Sequence, residues 1–251
     1  MAGPSILIID DEAFMRRVIR QTLSSLGCDR VTDISSATEA LTLLGKNRFE
    51  LILSDIYMPN MSGLELLKQI RTGKTQAPRD NRFIALTSFS NTEVLSTAML
   101  LEVNGFLVKP IKSELVKKSI LKALHETMYL RPEEEYEPIR LNEQWTRRED
   151  KTVIAVGGGV HAPAPKAEVE VAAKREKIAD EIESGVTLVS ILQIPPDAVL
   201  AERLVAKDGT LLLSAGQKLN PQIINRLQEL HSILSSDMLK IEVQEEDSEK
   251  V

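Results

Sequence analysis

The chain has 251 residues, 43% of them hydrophobic and 27% charged, enough for one large or two small globular domains with packed cores. Thirty-one basic against thirty-seven acidic side chains leave a net charge of −6, which excludes a bulk electrostatic footprint for nucleic acid. One cysteine, Cys28, excludes an internal disulfide and a multi-cysteine zinc cluster.

Along the first 130 residues two hydrophobic periods alternate. Short apolar runs at Ile6–Ile9, Val31–Ile34, Leu51–Ser54, Phe83–Leu86 and Phe106–Val108 read as strands. Between and after them come helical spacings: Phe14, Val18, Leu23 and Leu26; Ala40, Leu41 and Leu44; Leu64, Leu67 and Ile70; Val94, Leu95, Ala98 and Leu101; Leu115, Ile120, Leu121 and Leu124. Ser36 with Glu39 and Ser90 with Glu93 carry the capping-box spacing at two helix starts. Strands alternating with helices predict an α/β domain, a five-stranded doubly wound parallel sheet covered on both faces.

After Leu130 the composition changes. Residues 131–185 contain Arg131-Pro132-Glu133-Glu134-Glu135, a Gly157-Gly158-Gly159 run and Ala162-Pro163-Ala164-Pro165, so a flexible linker is expected, with one marginal helix over 166–184. Residues 186–251 predict a small β-rich α+β module. There Val199–Ala206 and Leu211–Leu213 flank Asp208-Gly209, a hairpin signal. Asn220-Pro221 opens a helix through Ile223, Ile224, Leu227 and Leu230, and a last strand follows over Leu239–Val243. No apolar run approaches the ~20 residues of a membrane span, and no signal-peptide pattern opens the chain, so a cytoplasmic location without a membrane partner is expected.

Ligands of an open parallel sheet sit outside the carboxyl ends of its strands. Those ends carry Asp10-Asp11, Asp55, Thr87-Ser88 and Lys109-Pro110. Converging carboxylates repel unless a cation joins them, and hard oxygen donors suit Mg²⁺. A carboxylate can also act as nucleophile in phosphoryl transfer, with the metal and Lys109 neutralising charge on the transferring oxygens.

These residues, Ile6-Leu7-Ile8-Ile9-Asp10-Asp11-Glu12, Ser54-Asp55-Ile56-Tyr57-Met58-Pro59 with Met61-Ser62-Gly63, Leu86-Thr87-Ser88 and Lys109-Pro110, resemble the receiver domain of two-component response regulators over about residues 1–128. The resemblance implies a flavodoxin-like sheet of order 2-1-3-4-5, with Asp55 as phosphoacceptor. It also implies Mg²⁺ held by Asp10, Asp11, Asp55 and the backbone carbonyl of Tyr57, and a phosphoryl group bonded by Thr87 and paired with Lys109. Further implications are a cis bond before Pro110 and an aromatic switch at Phe106 that follows Thr87. The output face would comprise helix 91–102, strand 105–109 and helix 113–128. Tyr57 and Phe89 would flank an attacking water and slow self-hydrolysis.

Such a chain is expected to receive its phosphoryl group from a histidine kinase or phosphotransfer protein. Residues 186–251 carry six basic against ten acidic side chains, which works against DNA binding. They weakly resemble the region preceding the catalytic part of His-Asp-type cyclic-dinucleotide phosphodiesterases, but no His-Asp dipeptide occurs, and His125, His161 and His231 lie in separate segments. Apart from the receiver's own phosphorylation chemistry no enzyme is expected. The reading favoured is a bacterial response regulator with a non-catalytic protein-interaction output, working by dimerisation on phosphorylation or by release of the C-terminal module. A transcription regulator with an atypical output domain is the alternative.

Overall fold

The computed structural model describes residues 3–87, 92–142, 145–147 and 186–242. Ser88, Phe89, the Ser90 cap, the helix expected over 166–184, His161 and the acidic tail lie outside them.

In the first domain the strands are β1 (Ile6–Ile9), β2 (Val31–Ile34), β3 (Leu51–Asp55), a two-residue β4 (Met58–Pro59), β5 (Arg82–Thr87) and β6 (Gly105–Val108). The helices are α1 (Ala13–Ser25), α2 (Ala37–Leu44), α3 (Gly63–Arg71), α4 (Thr92–Leu100) and α5 (Ser113–His125). Five strands form one sheet of order β2-β1-β3-β5-β6. All its pairings are parallel. β1 and β3 are buried on both faces, as continuous apolar runs at the centre of a covered sheet require. The Ser36 hydroxyl accepts from the Glu39 amide at 3.2 Å and starts α2. Ser62 does the same for Glu65 at 3.1 Å and starts α3.

Residues 131–142 and 145–147 pack where their composition suggests a loose tether. Tyr136 and Trp145 are buried in the apolar cluster between the sheet and α2–α4. Thr146–Arg147 forms a short strand, β7, parallel to β4. Two aromatic anchors outweigh the polar composition around them, because each removes a large apolar area from water.

The C-terminal module contains β8 (Val186–Ser190), β9 (Val199–Leu200), β10 (Leu204–Val205), β11 (Leu211–Leu213), α6 (Pro221–Glu229) and β12 (Met238–Glu242). The hairpin around Asp208-Gly209 is shorter than the sequence suggests. Only Leu204–Val205 pairs with β11, and β9 pairs with β12 instead. Gly209 takes a φ of +84°, which a glycine supplies without strain. Asn220 caps α6 by accepting from the Ile223 amide at 2.8 Å, with Pro221 at the first helical position.

The module lies on α4, β6 and α5. α4 is buried on two sides: Val94 and Ala98 face the sheet, while Leu95 and Met99 join the module's own core with Leu212, Leu213, Ile223 and Leu227. Polar contacts border this apolar seam. Thr92 Oγ1 donates to Asp208 at 2.9 Å, Ser96 Oγ to the Leu212 carbonyl at 2.6 Å, and Lys122 pairs with Glu229 at 2.6 Å. Arg226 of α6 is the deepest: 1% exposed, it bonds the Asn104 carbonyl and pairs with Glu126 at 2.8 Å and Glu229 at 3.0 Å.

Candidate functional site

The site forms at the carboxyl edge of the parallel sheet because β1, β3, β5 and β6 end there side by side. Ile9 lies opposite Ser54, and Asp55 opposite Leu86, so Asp10, Asp55 and Thr87 follow one another along the rim. Lys109 continues from β6, its amide donating to the Thr87 carbonyl at 2.8 Å. The Lys109–Pro110 bond is cis.

Asp10, Asp11 and Asp55 bring one carboxylate oxygen each to within 4.8 Å of one another. Asp10 and Asp55 are buried, and Asp11 is half-buried. The Lys109 ammonium reaches Asp10 Oδ2 at 2.9 Å and Asp55 Oδ2 at 3.0 Å. Burial acts to lower the pKa of Lys109, but the charges of Asp55 and Asp10 and their hydrogen bonds prevail and hold it above the usual lysine value. Lys109 is therefore a fixed cation at any physiological pH. Two backbone amides orient the carboxylates: Glu12 N donates to Asp10 Oδ1 at 2.9 Å, and Ile56 N to Asp55 Oδ1 at 2.8 Å.

Three carboxylates against one ammonium leave the rim short of positive charge, and all the ligating atoms are hard oxygens. That donor set fits Mg²⁺. Among the described residues no other group of three such side chains converges. His125 and His231 are exposed and bonded to carbonyls of their own segments. Burial, and then the charge of Asp29, push the Cys28 thiol up, away from thiolate reactivity.

Two supporting residues were not singled out for a role from sequence. Arg16 of α1 donates to the Asp10 and Asp11 carbonyls at 2.7 and 3.3 Å and pairs with Asp33 at 3.4 Å, so it fixes the backbone of the acidic pair. Gly63 lets α3 abut β3: a Cβ there would overlap the Asp55 carbonyl oxygen. Its signal in the sequence is the Met61-Ser62-Gly63 run shortly after Pro59, with no reason attached to the glycine. Phe106, in β6 opposite Ala85, is half-buried and packed against both the sheet-side cluster and the module's core.

A family model described as the response regulator receiver domain matches residues 6–121. The "Chemotaxis protein CheY homolog" of Campylobacter jejuni is 35% identical over 116 residues, covering 46% of this chain and 88% of that protein. The "Regulator of RpoS" of Escherichia coli K12 is 31% identical over 156 residues, covering 62% of this chain and 44% of that protein. Among solved structures, the chemotaxis response regulator CheY4 of Vibrio cholerae aligns with a TM-score of 0.44 at 28% identity, over 48% of this chain and 98% of that one.

Proposed function

The chain belongs to the response regulator receiver family, and from that premise we propose that it is a phosphorylation switch whose output is the C-terminal module. The observation that carries this reading is the Lys109 ammonium shared between Asp10 and Asp55 at 2.9 and 3.0 Å, on the same rim as Thr87.

In this reading an Asp55 carboxylate oxygen attacks the phosphorus of a phosphohistidine on a histidine kinase or phosphotransfer protein. The new P–O bond forms as the P–N bond breaks, and the imidazole leaves with a proton. Asp10, Asp11, Asp55 and the Tyr57 carbonyl would hold Mg²⁺, which supplies charge neutralisation on the phosphoryl oxygens. Lys109 adds a second fixed positive charge, and the Ile56 amide keeps the attacking carboxylate oriented. Thr87 donates its hydroxyl to the new phosphoryl group.

Drawing Thr87 toward Asp55 vacates space behind it, and Phe106 turns into that space. Phe106 contacts the module's core, so its movement removes part of the surface on which the module rests. The two-state element is thus the α4–β6–α5 face: covered by the module before phosphorylation, freed after it. The freed module binds a downstream protein, without catalysis of its own. Its excess of acidic over basic side chains disfavours DNA as that partner.

The test incubates the full chain with Mg²⁺ and acetyl phosphate and follows intact mass, with Asp55→Asn as control. One phosphoryl addition that is absent from the variant is expected. Equal addition to the variant would overturn the assignment of Asp55.

A further inference from the structure

The segment after the receiver returns to β4, just after Asp55, and reaches the first turn of α4. Its first anchor is Tyr136, whose hydroxyl bonds the buried Glu102 carboxylate and whose ring lies under the Arg131 guanidinium, 4.9 Å from the centroid. Lys68 of α3 then donates to the Glu137 and Ile139 carbonyls, both at 2.8 Å. Asn142 reaches Glu93 in the first turn of α4, just beyond Thr87, at 3.5 Å. The Trp145 amide donates to the Asn142 carbonyl at 3.0 Å. The next residues run along β4, with Met58 opposite Thr146 and Pro59 opposite Arg147.

Trp145 is 1% exposed and packs in the same cluster as Ile56 and Met58, the residues on either side of Tyr57. Among the described residues its indole N–H is buried without a hydrogen-bond partner. Among the described residues the indole is therefore held by packing rather than by a hydrogen bond, in the cluster that takes in both neighbours of Tyr57.

We propose that Trp145 is a positioning residue for phosphoryl transfer: its docking, with the β4–β7 pairing, fixes the Tyr57–Pro59 backbone in the geometry that completes the Mg²⁺ donor set. This rests on the function proposed above and extends the phosphorylation site to a residue outside the receiver fold. Groups that orient a metal ligand without touching the metal govern its affinity rather than the chemistry, so the effect belongs in the Mg²⁺ dependence.

The test exploits the fact that Trp145 is the only tryptophan in the chain. Its emission in the full-length protein is titrated with Mg²⁺ alone, and acetyl phosphate labelling is followed by intact mass across Mg²⁺ concentrations for the wild type, Trp145→Ala and Trp145→Phe. A saturable emission change is expected, together with a rise of roughly tenfold in the Mg²⁺ needed for half-maximal labelling of Trp145→Ala. Labelling of that variant at saturating Mg²⁺ would remain complete, and Trp145→Phe would restore the wild-type midpoint. An unshifted midpoint, or a loss that is equal at every Mg²⁺ concentration, would overturn the proposal. If Trp145→Ala does not fold, a flat wild-type emission over the Mg²⁺ range in which labelling turns on would overturn it instead. A wild type that never labels would overturn the phosphorylation reading beneath it as well.

Discussion

The two folded regions of this chain bury their apolar residues in different ways. The receiver covers its sheet on both faces mainly with its own helices, so Leu7, Ile9, Ile52 and Leu53 vanish from solvent, with Tyr136 and Trp145 of the following segment completing the α2–α4 side. Among the described residues the module has one α-helix, two short 3-10 helices, a three-stranded sheet and a two-stranded hairpin, and it completes its core with Leu95 and Met99 borrowed from α4. A region of that size gains little from its own burial. In the proposed switch this contrast sets where the change acts: the receiver would stay folded when the seam opens, because most of its core is its own, while the module's docking rests on the seam contacts.

The largest expected effect is at the polar end of the seam. Arg226→Ala leaves Glu126 buried without its guanidinium, a loss on the order of 3–5 kcal/mol in docking free energy. Limited proteolysis should then cleave the module of the unphosphorylated variant at the rate seen for the phosphorylated wild type, while the receiver persists. Unchanged resistance would remove Arg226 from the account. Leu95→Ala acts on the apolar half and should cost about 2–3 kcal/mol, because it opens a cavity shared by both regions. It sharpens the comparison if the module's thermal transition falls while Asp55 labelling stays intact, and breaks it if the receiver unfolds as well.

Within the receiver, Gly63→Ala forces α3 away from the Asp55 carbonyl, at a cost of about 1–3 kcal/mol, and should slow Asp55 labelling. The module's docking should be untouched, and calorimetry with intact-mass labelling would check both. The smallest effect is in alkali. Burial, and then the hydrogen bond to Glu102, push the Tyr136 phenol from 10.0 up to about 12. A raised pKa means that its contribution is complete below pH 10 and is lost as the pH climbs through 12. Tyrosinate absorbance should therefore show one of the three tyrosines titrating late, and Tyr136→Phe should abolish that step.

The receiver was legible because each of its signals is local and they agree. Continuous apolar runs such as Ile6–Ile9 name the buried strands, and a polar residue directly after each run names the rim, where Lys109 bridges Asp10 and Asp55 and its amide bonds the Thr87 carbonyl. What escaped the sequence depends on contacts between distant segments. Tyr136 and Trp145 stand alone in polar surroundings, where nothing local shows that each fills a hole in the sheet-side core. The second apolar stripe of α4, Leu95 and Met99, was present in the sequence, but one helix cannot show that its extra stripe faces another domain. Arg226 reads as a solvated helix residue until Asn104 and Glu126 come to meet it across about 100 positions of sequence.

The central claim is that phosphorylation at Asp55 uncovers the α4–β6–α5 face. Hydrogen exchange followed by mass spectrometry on the full chain, with and without stoichiometric acetyl phosphate labelling, tests it most directly. The account predicts faster exchange on labelling in α4, β11 and α6, with β1 and β3 unchanged, and no difference in Asp55→Asn. Equal protection of α4 and β11 in the unlabelled and fully labelled protein would contradict it.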